Sequence, residues 1–303
     1  MGLPEALLGM LAALAADTPE VTAAVTALAR GQSRIGAGVV IGSNVFNLAA
    51  LLGVAAVVAG GIYLHRRVIA IEGFVALWIA ADCLAVVVGA LPATAGLAIL
   101  LVVLVPYLIV LSSWRDRLRR LGLPAAWMDW LIGAITEEEQ ELEVAIHPRR
   151  GRTRDWIEAL MAVALVVGAS VAMESSGSTL GARHAVPEIV VGGLILAGVT
   201  SLPNAVAGIY LAARGRGAAT LSTAMNSNAL NVTVGLLLPA TIVGFASSGQ
   251  ATLVAAWYLG LTAFALGSAY LSRGLRRSHG VLIISAYLAF VAIVIATAYG
   301  SRL

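Results

Sequence analysis

The sequence contains few charged residues and a single cysteine. Lysine is absent, so all 19 basic residues are arginine, and charged residues make up only 12% of the 303-residue chain. Because Cys83 is alone, a disulfide framework and a thiolate metal site are both excluded. A soluble domain would carry about twice as much charge. The net charge of +3 requires no nucleic-acid partner, because basic loops on one face of a membrane account for it.

Apolar residues are correspondingly abundant in the sequence. They make up 60% of the chain, and the mean hydropathy is +0.93. Runs of about 18 or more apolar residues recur along the sequence, which predicts an all-α integral membrane protein with many crossings. We predict nine transmembrane helices, at roughly 4–29, 36–62, 68–91, 94–113, 155–173, 187–212, 218–246, 251–272 and 279–299.

The positions of the arginines predict the orientation of the chain. Most of them, including eight in the long loop 115–154, fall on one side of the predicted spans. The positive-inside rule makes that side cytoplasmic, and we expect a multi-pass protein of a bacterial inner membrane. Within the loop, Trp127 and Trp130 precede a charged segment, which predicts an interfacial helix followed by solvated chain. A regulatory cation site at 137–143 is the alternative for that segment.

One polar phrase occurs twice in this apolar chain. Residues 15–47 and 199–231 align without a gap at a constant offset of 184 positions. The two copies begin on the first and the sixth predicted spans, an odd number of crossings apart, so they should cross the membrane in opposite directions. Inverted repeats of this kind place a polar site near the bilayer midplane, between the halves. We therefore divide the chain into a first repeat (1–114), a cytoplasmic loop (115–154) and a second repeat (155–303).

The residues of the repeated phrase have the chemistry of a site for a hard cation. Pro19 and Pro203 should each kink a helix and free backbone carbonyls. Asp17 and Glu20 lie three positions apart, so they share a helix face. Neutral oxygen groups surround them, and such sulfur-free surroundings suit Na⁺ and Ca²⁺. The candidate ligands are Asp17, Glu20, Ser43, Asn44, Asn47, Thr200, Ser201, Asn204, Thr223, Ser227, Asn228 and Asn231.

Structural roles compete with transport roles for several of these groups. A carboxylate near the bilayer centre is costly and usually functional. Asp17 or Glu20 could instead be protonated, paired with an arginine, or near enough to the surface to reach it. For Asp82 we expect a buried structural hydrogen bond, and for Glu72 and Glu158 an interfacial position. Single serine and asparagine residues commonly hydrogen-bond between helices, so the paired pattern carries the argument.

At these residues the chain resembles the cation/calcium exchanger superfamily, whose repeats carry G-T-S-x-P-E followed by G-S-N-x-F-N. GSNVFN at 42–47 is a full match, TPE at 18–20 keeps the Pro-Glu pair, and the second copy reads TSLPN and NSNALN. The resemblance implies an inverted-repeat exchanger fold. It also implies antiport of Ca²⁺ or a related cation against Na⁺, H⁺ or K⁺ by alternating access, with no cofactor. By motif match, Glu20 is the ion-binding acid of the first repeat.

The chain departs from the family pattern in three places. The acid that follows the second proline is Asn204, which should weaken the binding of a divalent ion. Asp17 replaces a small hydroxyl residue, and we expect it to restore the lost charge from the opposite repeat. LPEALLG at the N-terminus aligns with VPEIVVGG at 186–193, so the first helix of the ten-helix family layout is not in the sequence. A misassigned start, a truncated gene, or a form completed by a partner would each explain this.

Three functions outside catalysis remain open from the sequence. The first is a secondary cation antiporter, whose partners are the lipid bilayer and the transported cations. The second is a degenerate exchanger homologue that serves as a membrane scaffold or partner subunit. A passive cation channel is a third, although inverted half-sites favour alternating access. An enzyme is not expected, because the four histidines are scattered at span ends and no nucleophile–base pair is visible.

Overall fold

The computed structural model describes residues 15–112, residue 133 and residues 153–300. The predicted interfacial helix of the loop 115–154, and most of that loop, lie outside the described residues. The α-helices are α1 (Thr18–Ala29), α2 (Ser33–Asn47), α3 (Ala55–Ala59), α4 (Arg66–Val87), α5 (Ala93–Ser112), α6 (Thr153–Arg183), α7 (Glu188–Val190), α8 (Ala197–Thr200), α9 (Leu202–Ala213), α10 (Gly217–Leu230), α11 (Leu238–Val243), α12 (Gly249–Ser272) and α13 (Arg277–Gly300).

Three π-helical segments interrupt these helices, π1 (Leu48–Val54), π2 (Val191–Leu196) and π3 (Asn231–Leu237). Segments π1 and π3 follow α2 and α10, the helices that carry the two asparagine motifs. One extra residue per turn re-aims the side chains that follow, and such segments are frequent at functional sites. Two three-residue strands, β1 (Gly61–Tyr63) and β2 (Gly274–Arg276), pair antiparallel with Ile62 opposite Leu275. They are the only departure from the all-α prediction in the described residues.

Several described helices have the length and composition of membrane crossings. Five are long and apolar enough, and the bent pair Glu188–Thr200 and Leu202–Ala213 adds a sixth if it is one span. The protein is therefore an integral membrane protein, and the count of nine crossings stays a prediction. The predicted span 155–173 ends too early, because α6 continues to Arg183.

The two halves have the same local structure at an offset of 184 residues. Helix α1 covers Thr18–Ala29 and α9 covers Leu202–Ala213, so both bounds shift by the same amount. Each helix is followed by a glycine with φ of +75°, Gly31 and Gly215. Only glycine adopts that conformation without strain, so the turn out of each helix is fixed by sequence. The repeat in the sequence is thus a repeat in the fold.

The core lies around α2, in which twelve of fifteen residues are buried. Helix α2 packs against α1, π2, π3 and α12. Its contact with π2 is especially close, because a side chain added at Gly42 would collide with the backbone of Gly193. This approach brings the polar end of α2, with its serine and asparagines, deep into the protein. Helix α10, the counterpart of α2, packs against α9 and α4.

Candidate cation-binding site

The site begins at two helix breaks that correspond to each other in the repeat. Pro19 and Pro203 occupy the second position of α1 and α9. The residues before those helices, Asp17 and Ser201, have nearly the same backbone angles, with φ of −86° in both and ψ of −2° and 0°. At the second break the chain bends by 48°. Because proline has no N–H, each break leaves carbonyl groups of the preceding turn without a helical donor.

The two carboxylates of the first repeat lie together and are fully buried. Asp17 and Glu20 both have 0% of their surface exposed. The amide nitrogen of Asn204 donates to Asp17 Oδ1 at 2.6 Å and to Glu20 Oε1 at 3.1 Å. The hydroxyl of Ser227 donates to Asp17 Oδ1 at 2.6 Å, and that of Ser201 to Glu20 Oε1 at 3.3 Å. The first repeat therefore supplies the negative charge, and the second repeat supplies these four hydrogen bonds.

The asparagines form a reciprocal network between the repeats. Asn44 Nδ2 donates to the carbonyl of Asn228 at 3.1 Å, and Asn228 Nδ2 donates to the carbonyl of Asn44 at 3.3 Å. Asn47 Nδ2 donates to Asn228 Oδ1, and its repeat counterpart Asn231 donates from Nδ2 to Asn44 Oδ1, both at 3.1 Å. Each bond has a partner generated by exchanging the repeats. An approximate two-fold axis therefore passes between Asn44 and Asn228.

Ser227 joins the asparagine network to the carboxylates. Its Oγ accepts hydrogen bonds from Asn47 Nδ2 at 3.0 Å and from Asn204 Nδ2 at 3.1 Å while its hydroxyl is directed at Asp17. The counterpart of Ser227 in the first repeat is Ser43, whose buried Oγ has no hydrogen-bond partner in the described structure. The approximate two-fold symmetry therefore holds for the asparagines but not for the two serines, because only Ser227 bonds to a carboxylate.

Five buried oxygen atoms of the cluster have no hydrogen-bond donor among the described residues. They are Asp17 Oδ2, Glu20 Oε2, Ser43 Oγ, Asn47 Oδ1 and Asn231 Oδ1. A buried acceptor without a donor costs about 1–3 kcal/mol, and more if it is charged. No ion pair to Asp17 or Glu20 occurs in the described part of the chain; Arg30 pairs with Glu174 instead. The cluster therefore has the composition of a site that a cation completes.

Most of the predicted ligands lie in this cluster, but two hydroxyl groups do not donate to it. Thr223 donates from Oγ1 to the carbonyl of Ala219 at 2.7 Å, within its own helix. Thr200 donates in the same way to Leu196 at 2.9 Å, although it is buried beside the break. Threonine in a helix commonly makes such a bond when no better acceptor is near. The hydroxyl of Thr200 is therefore committed to its own helix.

Two expectations about other acids were wrong. Glu72 is only 2% exposed, and Oε1 accepts a hydrogen bond from Tyr107 at 2.7 Å, so it is buried between α4 and α5 rather than interfacial. Asp82 is buried at 5% exposure, but neither carboxylate oxygen has the expected hydrogen-bond partner in the described structure. Packing against α5 removes both acids from the membrane surface, which single-helix patterns do not reveal. Glu158 is exposed.

The structure also contains polar groups that sequence reasoning missed. Tyr258 of α12 is 1% exposed, and its hydroxyl group lies close to the side chains of Asn44 and Asn228, at the approximate two-fold axis. A tyrosine in the middle of an apolar helix was the available signal, since a buried hydroxyl usually has a partner. Glu174 of α6 is fully buried and pairs with Arg30 at 2.6 Å. The sequence prediction missed Glu174 because it ended that span at residue 173.

Comparison with known proteins agrees with this architecture. The family model for sodium/calcium exchanger protein matches residues 1–115 and 156–296. The solved structure of the sodium-calcium exchanger NCX_Mj, soaked with 2.5 mM Na⁺ and 10 mM Sr²⁺, is 17% identical with a TM-score of 0.64, covering 96% of this chain and 87% of that one.

The H⁺/Ca²⁺ exchanger CAX is 12% identical with a TM-score of 0.64, covering 98% of this chain and 78% of that one. At these identities the structural likeness shows the inverted-repeat exchanger fold alone. No curated protein sequence matches the chain significantly. Because the family model matches both repeats and most of the chain, the protein belongs to the sodium/calcium exchanger protein family.

Proposed function

We propose that the protein is a secondary-active cation antiporter that exchanges Ca²⁺ or a related cation against Na⁺, H⁺ or K⁺ by alternating access. The observation that carries the proposal is the set of five buried, unpartnered oxygens around Asp17 and Glu20. Two carboxylates buried in a membrane protein, with no cationic partner among the described residues, require compensation of their charge. A bound metal ion or protons would supply it.

The position of the cluster supports exchange rather than passive conduction. Donors from the second repeat meet acids from the first, so the site lies between the halves of an inverted repeat. Rocking of one half against the other around such a site gives alternating access. The two helix breaks, at Asp17 and Ser201, are equivalent in the repeat, and each frees backbone carbonyls of the preceding turn. Asp17 takes over the charge that Asn204 lacks.

One observation favours a second function. Asn204 occupies the position where the family motif has an acid, and its amide nitrogen, a donor, is directed at both carboxylates. A protein with this change could have lost transport and kept the fold as a membrane scaffold or partner subunit. Such a protein would fold normally and show no gradient-driven flux.

Flux in proteoliposomes tests both functions. Purified protein is reconstituted, and Ca²⁺ uptake is measured with Na⁺, H⁺ and K⁺ gradients applied separately. Glu20→Gln should abolish uptake, while Glu158→Gln, which removes an exposed acid, should transport like the wild type. Wild-type protein that elutes as a single folded species but moves no cation under any gradient would overturn the antiporter proposal in favour of the scaffold.

A further inference from the structure

We infer that Thr223 and Asn226 of α10 line the route by which cations pass between the buried cluster and the membrane face at which α10 begins. In this conformation the cluster is closed off along α2, the repeat counterpart of α10. The inference rests on the proposed antiport. Two observations carry it: the exposure and polarity of one face of α10, and the packing of α2.

Helix α10 has one narrow face that is not buried, and that face is mainly polar. All its residues are buried except Thr223, Asn226 and Leu230, which follow one another at intervals of three and four positions and so share a face. Contact of an amide or hydroxyl group with lipid is costly. Polar side chains within membrane helices instead face the bundle interior or a water-filled cavity, and they mark ion pathways.

The polar part of this face leads to the cluster. Asn226 is adjacent in sequence to Ser227, whose hydroxyl donates to Asp17 Oδ1 at 2.6 Å. Thr223 precedes Ser227 by four positions, so it lies on the same side of the helix, about 5.4 Å nearer to the membrane face. The two half-buried residues are therefore the step between that face and the buried site.

Both side chains have oxygen atoms suited to a passing cation. Thr223 donates its hydroxyl hydrogen to the carbonyl of Ala219 at 2.7 Å, and Asn226 Nδ2 donates to Ser222 Oγ at 2.9 Å. Because these donors are used within the helix, the oxygen of each side chain can accept. Neutral oxygens are ligands that hard cations prefer, and the absence of charge at this point lets the cation leave again.

Helix α2 is sealed at the positions where α10 is polar. A side chain added at Gly38 would lie 2.8 Å from the backbone nitrogen of Gly193, and one added at Gly42 would collide with the backbone of the same residue. This contact leaves no room for an ion between α2 and π2. The repeat counterparts in α10 are Ser222 and Asn226, whose side chains exclude an equally close backbone contact.

The accessibility of introduced cysteines tests the route. Cys83 is fully buried and is replaced by alanine, and a membrane-impermeant, positively charged methanethiosulfonate reagent is applied to inside-out and right-side-out vesicles. Tyr63→Cys identifies the vesicles in which the relevant face is accessible, because Tyr63 is 91% exposed and its backbone contacts the start of α10 at Gly217. Thr223→Cys and Asn226→Cys should react in those vesicles only.

Val39→Cys is the matched control for these reactions. Val39 is the repeat counterpart of Thr223 and is fully buried, so its cysteine should not react. Reactivity of Thr223→Cys and Asn226→Cys no greater than that of Val39→Cys would overturn the inference. Reaction with an apolar maleimide but not with the charged reagent would also overturn it, because the stripe would then face lipid.

Flux separates a route from a purely structural role. Thr223→Val and Asn226→Leu should each lower the maximum rate of Ca²⁺ uptake about fivefold, the effect of one lost hydrogen-bonding oxygen. Equilibrium Ca²⁺ binding should stay unchanged, because the cluster is intact. Thr297→Val removes a hydroxyl that bonds to its own helix α13 in the same way, and it should change neither quantity. Wild-type rates in both α10 variants overturn the inference and leave the antiporter standing, whereas absence of all gradient-driven Ca²⁺ movement in the wild type overturns both.

Discussion

Replacement of Asp17 by asparagine removes half of the negative charge at the site with little change in volume. The side chain is fully buried, and Oδ1 accepts two hydrogen bonds of 2.6 Å, from Asn204 and Ser227. Short bonds to an ionised acceptor are roughly twice as strong as neutral ones. We therefore expect Asp17→Asn to affect ion binding directly and through the orientation of both donors.

The size of the effect follows from the charge. Two unit charges 4 Å apart interact by about 4 kcal/mol at an effective dielectric constant of 20, and a divalent ion doubles that figure. Desolvation of the carboxylate offsets part of this gain. A net loss of about 3 kcal/mol corresponds to roughly a hundredfold weaker Ca²⁺ binding, since each 1.36 kcal/mol is tenfold. Binding of a monovalent ion should weaken less.

Calorimetric titration of Ca²⁺ and Ca²⁺-dependent flux measure this change. Asp82→Asn is the matched control, because Asp82 is also a buried acid but has no hydrogen bond to the cluster in the described structure, and it should bind Ca²⁺ like the wild type. Asn204→Ala should keep part of the activity, because both carboxylates remain. Wild-type affinity and flux in Asp17→Asn would refute the idea that this acid replaces the one that the second repeat lacks.

Other predictions concern stability, measured as thermal unfolding in detergent. Arg30→Gln leaves Glu174 buried without its ionic partner and should cost about 1–3 kcal/mol, because Arg30 itself is 44% exposed, and adding Glu174→Gln should recover most of it; no recovery would contradict the ion-pair argument. Tyr258→Phe removes the hydroxyl group beside the asparagine network and should lower the free energy of unfolding by about 1 kcal/mol per hydrogen bond. An unchanged unfolding temperature would show that this hydroxyl group makes no stabilising hydrogen bond. Gly42→Ala should destabilise by about 1–3 kcal/mol, because the new methyl group meets the backbone of π2, whereas Gly168→Ala in open space should stabilise α6 by up to about 1 kcal/mol. Equal effects of the two glycine substitutions would exclude close packing as the cause.

The repeat predicted a large part of the site because it relates residues that are far apart in the chain. A constant offset identified Asn44 with Asn228 and Asn47 with Asn231, and these side chains bond across the repeats in the structure. Periodicity within one helix does not identify the neighbouring helix. Glu72 and Asp82 illustrate this, since their burial depends on α5, to which no motif connects them.

Tyr258 shows the same limit for a residue outside the repeated phrase. Its counterpart at the offset of 184 is Phe74, so the repeat gave no signal for a hydroxyl group there. The structure places the hydroxyl against two asparagines because α12 packs against α2. Thr223 is the reverse case, since the repeated phrase selected it and the structure shows its hydroxyl bonded to its own helix.

The sequence alone determined the membrane character, the two repeats, the helix breaks at Pro19 and Pro203, and the asymmetry of charge between the copies. Each of these depends on composition or on spacing along the chain. Only the tertiary structure decided that Asn204 donates to both Asp17 and Glu20, and that five oxygens around them have no donor in the described residues. Those facts depend on how two helices are rotated about their axes and on how closely they approach each other. Packing between residues 184 positions apart in the chain fixes both quantities, and the local sequence does not.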